Sequence, residues 1–268
     1  MDGITSIKKD KYSIIYIECL SEEFKDSIRE HLALMCHGKD EVDSGHIYAN
    51  YKTTLKEFNK RLNEKSDKQK KGQIGELLTH LIIRTELPDY EICSPLFNME
   101  ERSAKKGFDL IIIKEDELWL NEVKSGEASV KEKPNTKINN LIKKAADDLI
   151  ERVDNKDKAL PLWMEAINGA RKIVSDKNGN KKNAIIEILQ KSADNASSCD
   201  TEPLKYNVIL SGVLFNNISN KFEENIIKEK YAEIDEMNAF QSLFVIAIQE
   251  QAYQDVVQFL EDEVDYNE

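Results

Sequence analysis

The residues in this chain best suited by type and spacing to do chemistry are Asp109, Glu122 and Lys124. They lie in the segment Gly107-Phe-Asp-Leu-Ile-Ile-Ile-Lys-Glu-Asp-Glu-Leu-Trp-Leu-Asn-Glu-Val-Lys124. Two β-rich runs flank the charged tetrad Lys114, Glu115, Asp116, Glu117, which reads as a tight hairpin turn although it lacks Asn-Gly. A two-residue loop at Glu115 and Asp116 places Asp109 directly opposite Glu122. Opposed residues share a sheet face, with Cβ atoms about 4.5–5.5 Å apart. The period of two then puts Lys124 on that face beside Glu122.

Two carboxylates and an ammonium on one side of an otherwise apolar hairpin are costly to bury unpaired. A divalent cation compensates them well. Mg²⁺ takes carboxylate and water oxygens, Mn²⁺ is expected to substitute for it, and the backbone carbonyl of Val123 could supply a further ligand. Lys124, kept charged by its neighbours, could orient an attacking water and stabilise charge building up on a phosphate. Together these groups suit phosphodiester hydrolysis. The bland alternative is an exposed edge hairpin on which Glu122 and Lys124 form a surface pair worth at most about 1 kcal/mol. Gly107 and Phe108 before Asp109, and Ser125 and Gly126 after Lys124, favour a strand end opening onto a cleft.

The elements that must position these residues can be read from periodicity. Tyr12 to Leu20 is a strand, Glu22 to Met35 a helix, and Thr53 to Leu62 a second helix. The basic run Lys60 to Lys71 reads as a solvated helix end and linker, with a nucleic-acid contact as the alternative. Ile74, Leu77, Leu78, Leu81 and Ile82 make Gln73 to Arg84 an amphipathic helix. A strand near Tyr90 to Phe97, the Phe108 to Lys124 hairpin and a helix from Thr136 to Val153 complete an α-β-β-β-α order. Further on come helices near Leu160 to Val174 and Ala184 to Lys191, and a strand at Tyr206 to Phe215. A helix at Phe222 to Met237, a strand at Phe240 to Ile248 and a helix at Tyr253 to Glu261 end the alternation. Interleaved helices and strands predict an α/β fold with a central mixed sheet flanked by helices. Residues 1–70 form an N-terminal α/β extension packed on a core spanning residues 71–268, whose C-terminal region is acidic.

The Asp109 and Glu122-Val123-Lys124 pattern resembles the PD-(D/E)xK nuclease superfamily, whose hallmark is an Asp on one strand and (Asp or Glu)-x-Lys on the next. Phe108 stands here where the name has proline. The resemblance implies a restriction-endonuclease-like core, and often a glutamate on the preceding helix, where Glu76 in GQIGELLTHLI occupies the expected place. At 100° per residue, Glu76 lies about opposite the Ile74, Leu77, Leu78, Leu81 stripe, so a role for it requires a second buried or site-facing side. More narrowly, the block from Gly72 to Val153, the overall length and the N-terminal extension resemble the HamA family, the nuclease subunit of the Hachiman antiphage defence system. That resemblance implies DNA degradation during phage infection and a complex with a helicase, the HamB-like subunit.

Composition limits other readings. At 268 residues with 40% hydrophobic and 33% charged residues, the chain can bury a sizeable core. Its net charge of −12 opposes tight binding to phosphates. However, Tyr231 to Glu268 holds ten Asp or Glu and no Lys or Arg, so the preceding residues balance 38 positive against 40 negative charges. No stretch is long and apolar enough for a membrane span and the N-terminus lacks signal-peptide order, so a cytoplasmic protein is expected. Cys19, Cys36, Cys93 and Cys199 form no CxxC pair and read as buried reduced thiols. His31, His37, His46 and His80 lack metal-ligand spacing. The rival function is a non-enzymatic adaptor or immunity-type protein whose acidic surface binds a basic partner.

Overall fold

The computed structural model describes residues 2–97, 107–198 and 205–266. In chain order the strands and α-helices are β1 Ile4–Lys8, β2 Tyr12–Ile17, α1 Glu22–His37, α2 Lys39–Asp43, α3 Tyr51–Asn63, α4 Asp67–Glu86, β3 Glu91–Ile92, β4 Leu110–Lys114, β5 Glu117–Glu127, α5 Pro134–Asp154, α6 Lys156–Ile173, α7 Gly179–Ser197, β6 Asn207–Phe215, α8 Glu224–Glu236, β7 Ser242–Glu250 and α9 Tyr253–Tyr266.

Seven strands form one mixed sheet in the order β1-β2-β7-β6-β5-β4-β3. The four central strands β2, β7, β6 and β5 run parallel, while β1, β4 and β3 pair antiparallel at the margins. β6 is buried along its whole length, as expected of a parallel strand covered on both faces. On one face Leu118, Leu120, Leu210 and Val245 pack under α5, α6, α7 and α8. On the other, Trp119, Val123, Ile209 and Ile246 pack under α1, α3, α4 and α9. This is the α/β sheet with helical layers that the alternation predicts. The N-terminal segment is not merely laid on that core: β2 pairs with β7 from Tyr12↔Val245 to Ile17↔Glu250 and so builds part of the same sheet.

Three local expectations change. Ile4–Lys8 forms an additional edge strand, which its mixed polar sequence did not announce. The basic run is helical from Asp67 onwards, because Ser66 opens a capping box: its N–H donates to Gln69 Oε1 at 3.1 Å. That helix extension recruits Lys68 to Lys71 into α4. Of Tyr90 to Phe97 only Glu91 and Ile92 pair with β4. Beyond them the chain turns toward α1, with the Leu96 N–H donating to the Met35 carbonyl at 2.9 Å. Cys36 and Cys93 are buried free thiols, whereas Cys19 is exposed; Cys199 lies outside the described residues. Among the described residues, no helix is long and apolar enough to cross a membrane.

Candidate active site

β4 and β5 pair as a hairpin with Leu110↔Asn121 and Lys114↔Glu117 in register. Its loop is Glu115 and Asp116, with φ of 51° and 62°. Positive φ at both central residues is the turn whose twist matches a hairpin. Neither residue is glycine, so the turn carries some strain, which the surrounding pairing must offset. Extending this register by one residue sets Asp109 opposite Glu122. Because the pair closing a two-residue loop is hydrogen-bonded and pairs then alternate, Asp109 and Glu122 form a non-hydrogen-bonded pair, the kind whose side chains stand closest.

β4 ends at Leu110, and what replaces it shapes the site. The Val123 N–H, which a longer β4 would have met with a backbone carbonyl, donates instead to Asp109 Oδ2 at 2.7 Å. A strand residue directs its N–H and C=O to the same edge. The Val123 carbonyl therefore points toward the gap that Asp109 borders. Sheet alternation places Glu122 and Lys124 with Leu118 and Leu120 on the α5 face, and Asp109 with Ile111 and Ile113 on that same face.

Glu122 is fully buried. Its Oε1 lies 2.5 Å from Lys124 Nζ and its Oε2 lies 2.9 Å from Arg152 Nη1. Burial, and secondarily the charge of Asp109, push the Glu122 carboxyl above the usual carboxylate range, while Lys124 and Arg152 oppose the shift. Burial acts against the charge on Lys124, but Glu122, Asp109 and Asp148 outweigh it and hold its ammonium above the ordinary lysine value. Lys124 Nζ is shared with Asp148 Oδ2 at 3.0 Å. Arg152 also reaches the Gly107 carbonyl at 3.4 Å. The cluster thus alternates in sign: Asp109, Glu122 and Asp148 interleaved with Lys124 and Arg152.

Asp148 and Arg152 come from α5 and were not among the sequence candidates. Their signal was nevertheless present. Leu141, Ala145, Asp148 and Arg152 follow the 4-3-4 spacing of a helix stripe whose first two members are buried. Charged residues at the last two positions mark where the stripe leaves the core and enters a polar site. α5 comes this close because β6 offers it a glycine: a Cβ on Gly212 would lie 2.9 Å from Ile138 Cδ1 and 3.0 Å from Ile142 Cγ1.

α4 approaches β5 from the opposite face by the same device, since a Cβ on Gly75 would lie 2.6 Å from Ser125 Cβ. The Ser125 hydroxyl donates to the Lys71 carbonyl at 2.8 Å. β5 is therefore clamped between two helices at the level of Glu122 to Ser125. Glu76 sits next to Gly75 and is half-buried. It lies in line with Thr79, His80 and Ile83, all buried. The second buried side that a role for Glu76 requires therefore exists, and a stripe counted from Ile74 and the leucines alone had missed it.

The structure brings Asp109, Glu122, Val123 and Lys124 to one strand end. Among the described residues no three His, Cys, Asp or Glu side chains gather as a metal cage, so Glu76 does not form such a trio with Asp109 and Glu122. Two carboxylates and a backbone carbonyl suit Mg²⁺, which keeps several of its own waters and takes only one or two protein carboxylates. They suit a structural Zn²⁺ far less, since that ion prefers Cys and His.

No curated protein shows a significant match to the chain. The family model HamA matches residues 3–264, nearly the entire chain. The chain belongs to the HamA family, and with it to Hachiman antiphage defence.

Proposed function

We propose that the chain is a metal-dependent DNA endonuclease, the effector subunit of a Hachiman complex that includes a HamB-like helicase. The observation that supports this most is the fully buried Glu122 flanked on one sheet face by Asp109 and Lys124. A buried carboxylate at a strand end, raised toward its neutral form and held by two cations, is a poor way to stabilise a fold. It is a good way to prepare an ion-binding and phosphate-binding site.

Asp109, Glu122 and the Val123 carbonyl would hold Mg²⁺ or Mn²⁺, which when bound supplies Lewis acidity toward a phosphate oxygen and acidifies a water. Lys124 would orient the attacking water and stabilise charge growing on the phosphate. Asp148, 3.0 Å from the Lys124 ammonium, holds it together with Glu122 and limits its freedom. Arg152 presents a planar fork suited to phosphate oxygens. Glu76 does not gather with Asp109 and Glu122 among the described residues, so its part in cleavage would lie outside their metal set, tested by Glu76→Gln.

The net negative charge favours a partner that delivers or gates DNA, because 50 acidic against 38 basic residues oppose tight binding of phosphate at physiological salt. The test is plasmid cleavage by the chain alone and with its helicase, in Mg²⁺, in Mn²⁺ and in EDTA. Cleavage should need the cation and increase in the assembly. Undiminished cleavage in EDTA defeats the metal reading. Equal rates with and without the helicase defeat the gating.

A further inference from the structure

Both oxygens of Glu122 are occupied: Oε1 by Lys124 and Oε2 by Arg152. One oxygen of Asp109 accepts the Val123 N–H. A cation approaching this strand end therefore meets a closed ligand, and one basic side chain has to leave. The two are not equally free. Lys124 has a side-chain exposure of 18% and is held by two carboxylates, at 2.5 and 3.0 Å. Arg152 has 32% exposure and, among the described residues, a single carboxylate partner at 2.9 Å and a longer contact to the Gly107 carbonyl at 3.4 Å. It also stands on the last turn of α5, at the solvent margin of the site. Arg152 is the member that can swing out.

We propose that Arg152 is a positioning residue that couples substrate to metal. With Arg152 on its Oε2, Glu122 is closed, and a DNA phosphate drawing the guanidinium away opens Glu122 to the cation. This deepens, and rests on, the nuclease reading above. A phosphate diester is a better partner for the guanidinium than a lone buried carboxylate, because it offers paired oxygens in the geometry of the arginine fork and lies at the solvent edge. Once Arg152 has moved, the Glu122 charge is left to Lys124 and the cation. Binding of phosphate and binding of metal then favour each other, and by linkage the factor is the same whichever is added first.

The experiment measures Ca²⁺ affinity by calorimetry on the full chain, with and without a short duplex DNA, for wild type, Arg152→Met and Arg152→Gln. Ca²⁺ is the probe so that binding can be read apart from turnover, and integrity of the duplex is checked on a gel. In wild type the duplex should tighten Ca²⁺ about tenfold. In Arg152→Met, Ca²⁺ should bind more tightly than to wild type in the absence of DNA, DNA should bind more weakly, and the coupling should fall to within about twofold. Arg152→Gln, which keeps a donor for Glu122, should lie between.

Thermal melting separates this from a purely structural role. The gate predicts that Arg152→Met melts below wild type without cation and that the deficit closes when Ca²⁺ saturates the site. A structural role predicts the same deficit in both conditions. Coupling unchanged in Arg152→Met, or a deficit indifferent to Ca²⁺, overturns the proposal while leaving the nuclease reading intact. A wild-type chain that binds no cation and cleaves no DNA with its partner overturns both.

Discussion

Lys124→Ala tests whether the pair at the centre of the site is as buried as its geometry implies. The 2.5 Å contact joins a Glu122 side chain with 0% exposure to a Lys124 side chain with 18%. Removing one member of a buried pair costs about 3–5 kcal/mol, because the other is left uncompensated. Two features reduce that figure here. Arg152 remains on the second oxygen of Glu122. The Glu122 carboxyl, already pushed upward by burial and Asp109, can take up a proton instead of staying charged. The expected cost is about 2–3 kcal/mol, which in a chain of this size lowers the melting temperature by roughly 4–12 °C. Glu122→Gln removes the charge that needs compensating and keeps the side-chain volume. The double variant Lys124→Ala/Glu122→Gln should therefore recover most of the stability lost by Lys124→Ala, a coupling within the range of about 0.5–3 kcal/mol seen for contacting residues. Guanidinium unfolding in EDTA reads the four proteins, and plasmid cleavage should be lost in all three variants. If Lys124→Ala unfolds within about 1 kcal/mol of wild type, the pair is a surface pair and the site assignment fails with it. If the double variant is as unstable as the sum of the two single ones, the pairing carries no energy.

Other expectations follow from neighbouring features. Asp109→Asn keeps an acceptor for the Val123 N–H, whereas Asp109→Ala orphans it, so the alanine variant should be about 1–3 kcal/mol less stable by denaturant unfolding while both lose Mn²⁺ affinity by calorimetry. Gly75→Ala drives a methyl into Ser125 and should cost about 1–3 kcal/mol while disturbing the strand that carries Lys124; a cleavage rate and melt identical to wild type would refute the clamp. Glu250, at the end of β7, is fully buried with neither oxygen accepting a well-formed hydrogen bond from the described residues. Burial, with a contribution from Asp255, pushes its carboxyl up to about 8 against the opposing Ala252 amide. Between the ordinary glutamate value and that raised one, the fold holds a proton the unfolded chain has released, so stability falls as pH rises through the window. Glu250→Gln should raise the melting temperature near pH 8 and above and leave it close to wild type near pH 5. A parallel shift at all pH values would show that burial of the charge is not the cause.

The hairpin was legible in the sequence because a period of two and a two-residue loop leave one register, and that register alone brings Asp109, Glu122 and Lys124 to one face. The neighbours that set their electrostatics were not. Asp148 and Arg152 reach Lys124 and Glu122 only because Gly212 lets α5 descend onto β6, a contact between segments distant in sequence. Glu76 shows a related blind spot: apolar counting found one buried stripe on α4, but Thr79 and His80 are buried too. Strand order was equally hidden. Nothing local in Tyr12–Ile17 states that its partner is β7, since a parallel pairing leaves no turn in the sequence to mark it.

That pairing decides when this sheet can exist at all. β7 lies between β2 and β6, so the strand synthesised last among the seven fills the middle of the sheet and not its rim. Until it arrives, β2 and β6 each present an open row of backbone donors and acceptors, the kind of edge that recruits other chains. Closure must also wait for contacts of very long sequence separation, which slows folding. On the ribosome the Asp109–Lys124 hairpin emerges well before the strand that completes its platform. A deletion from residue 242 onward would split the sheet between β2 and β6, and the expected product is an insoluble chain and not merely a weakened fold.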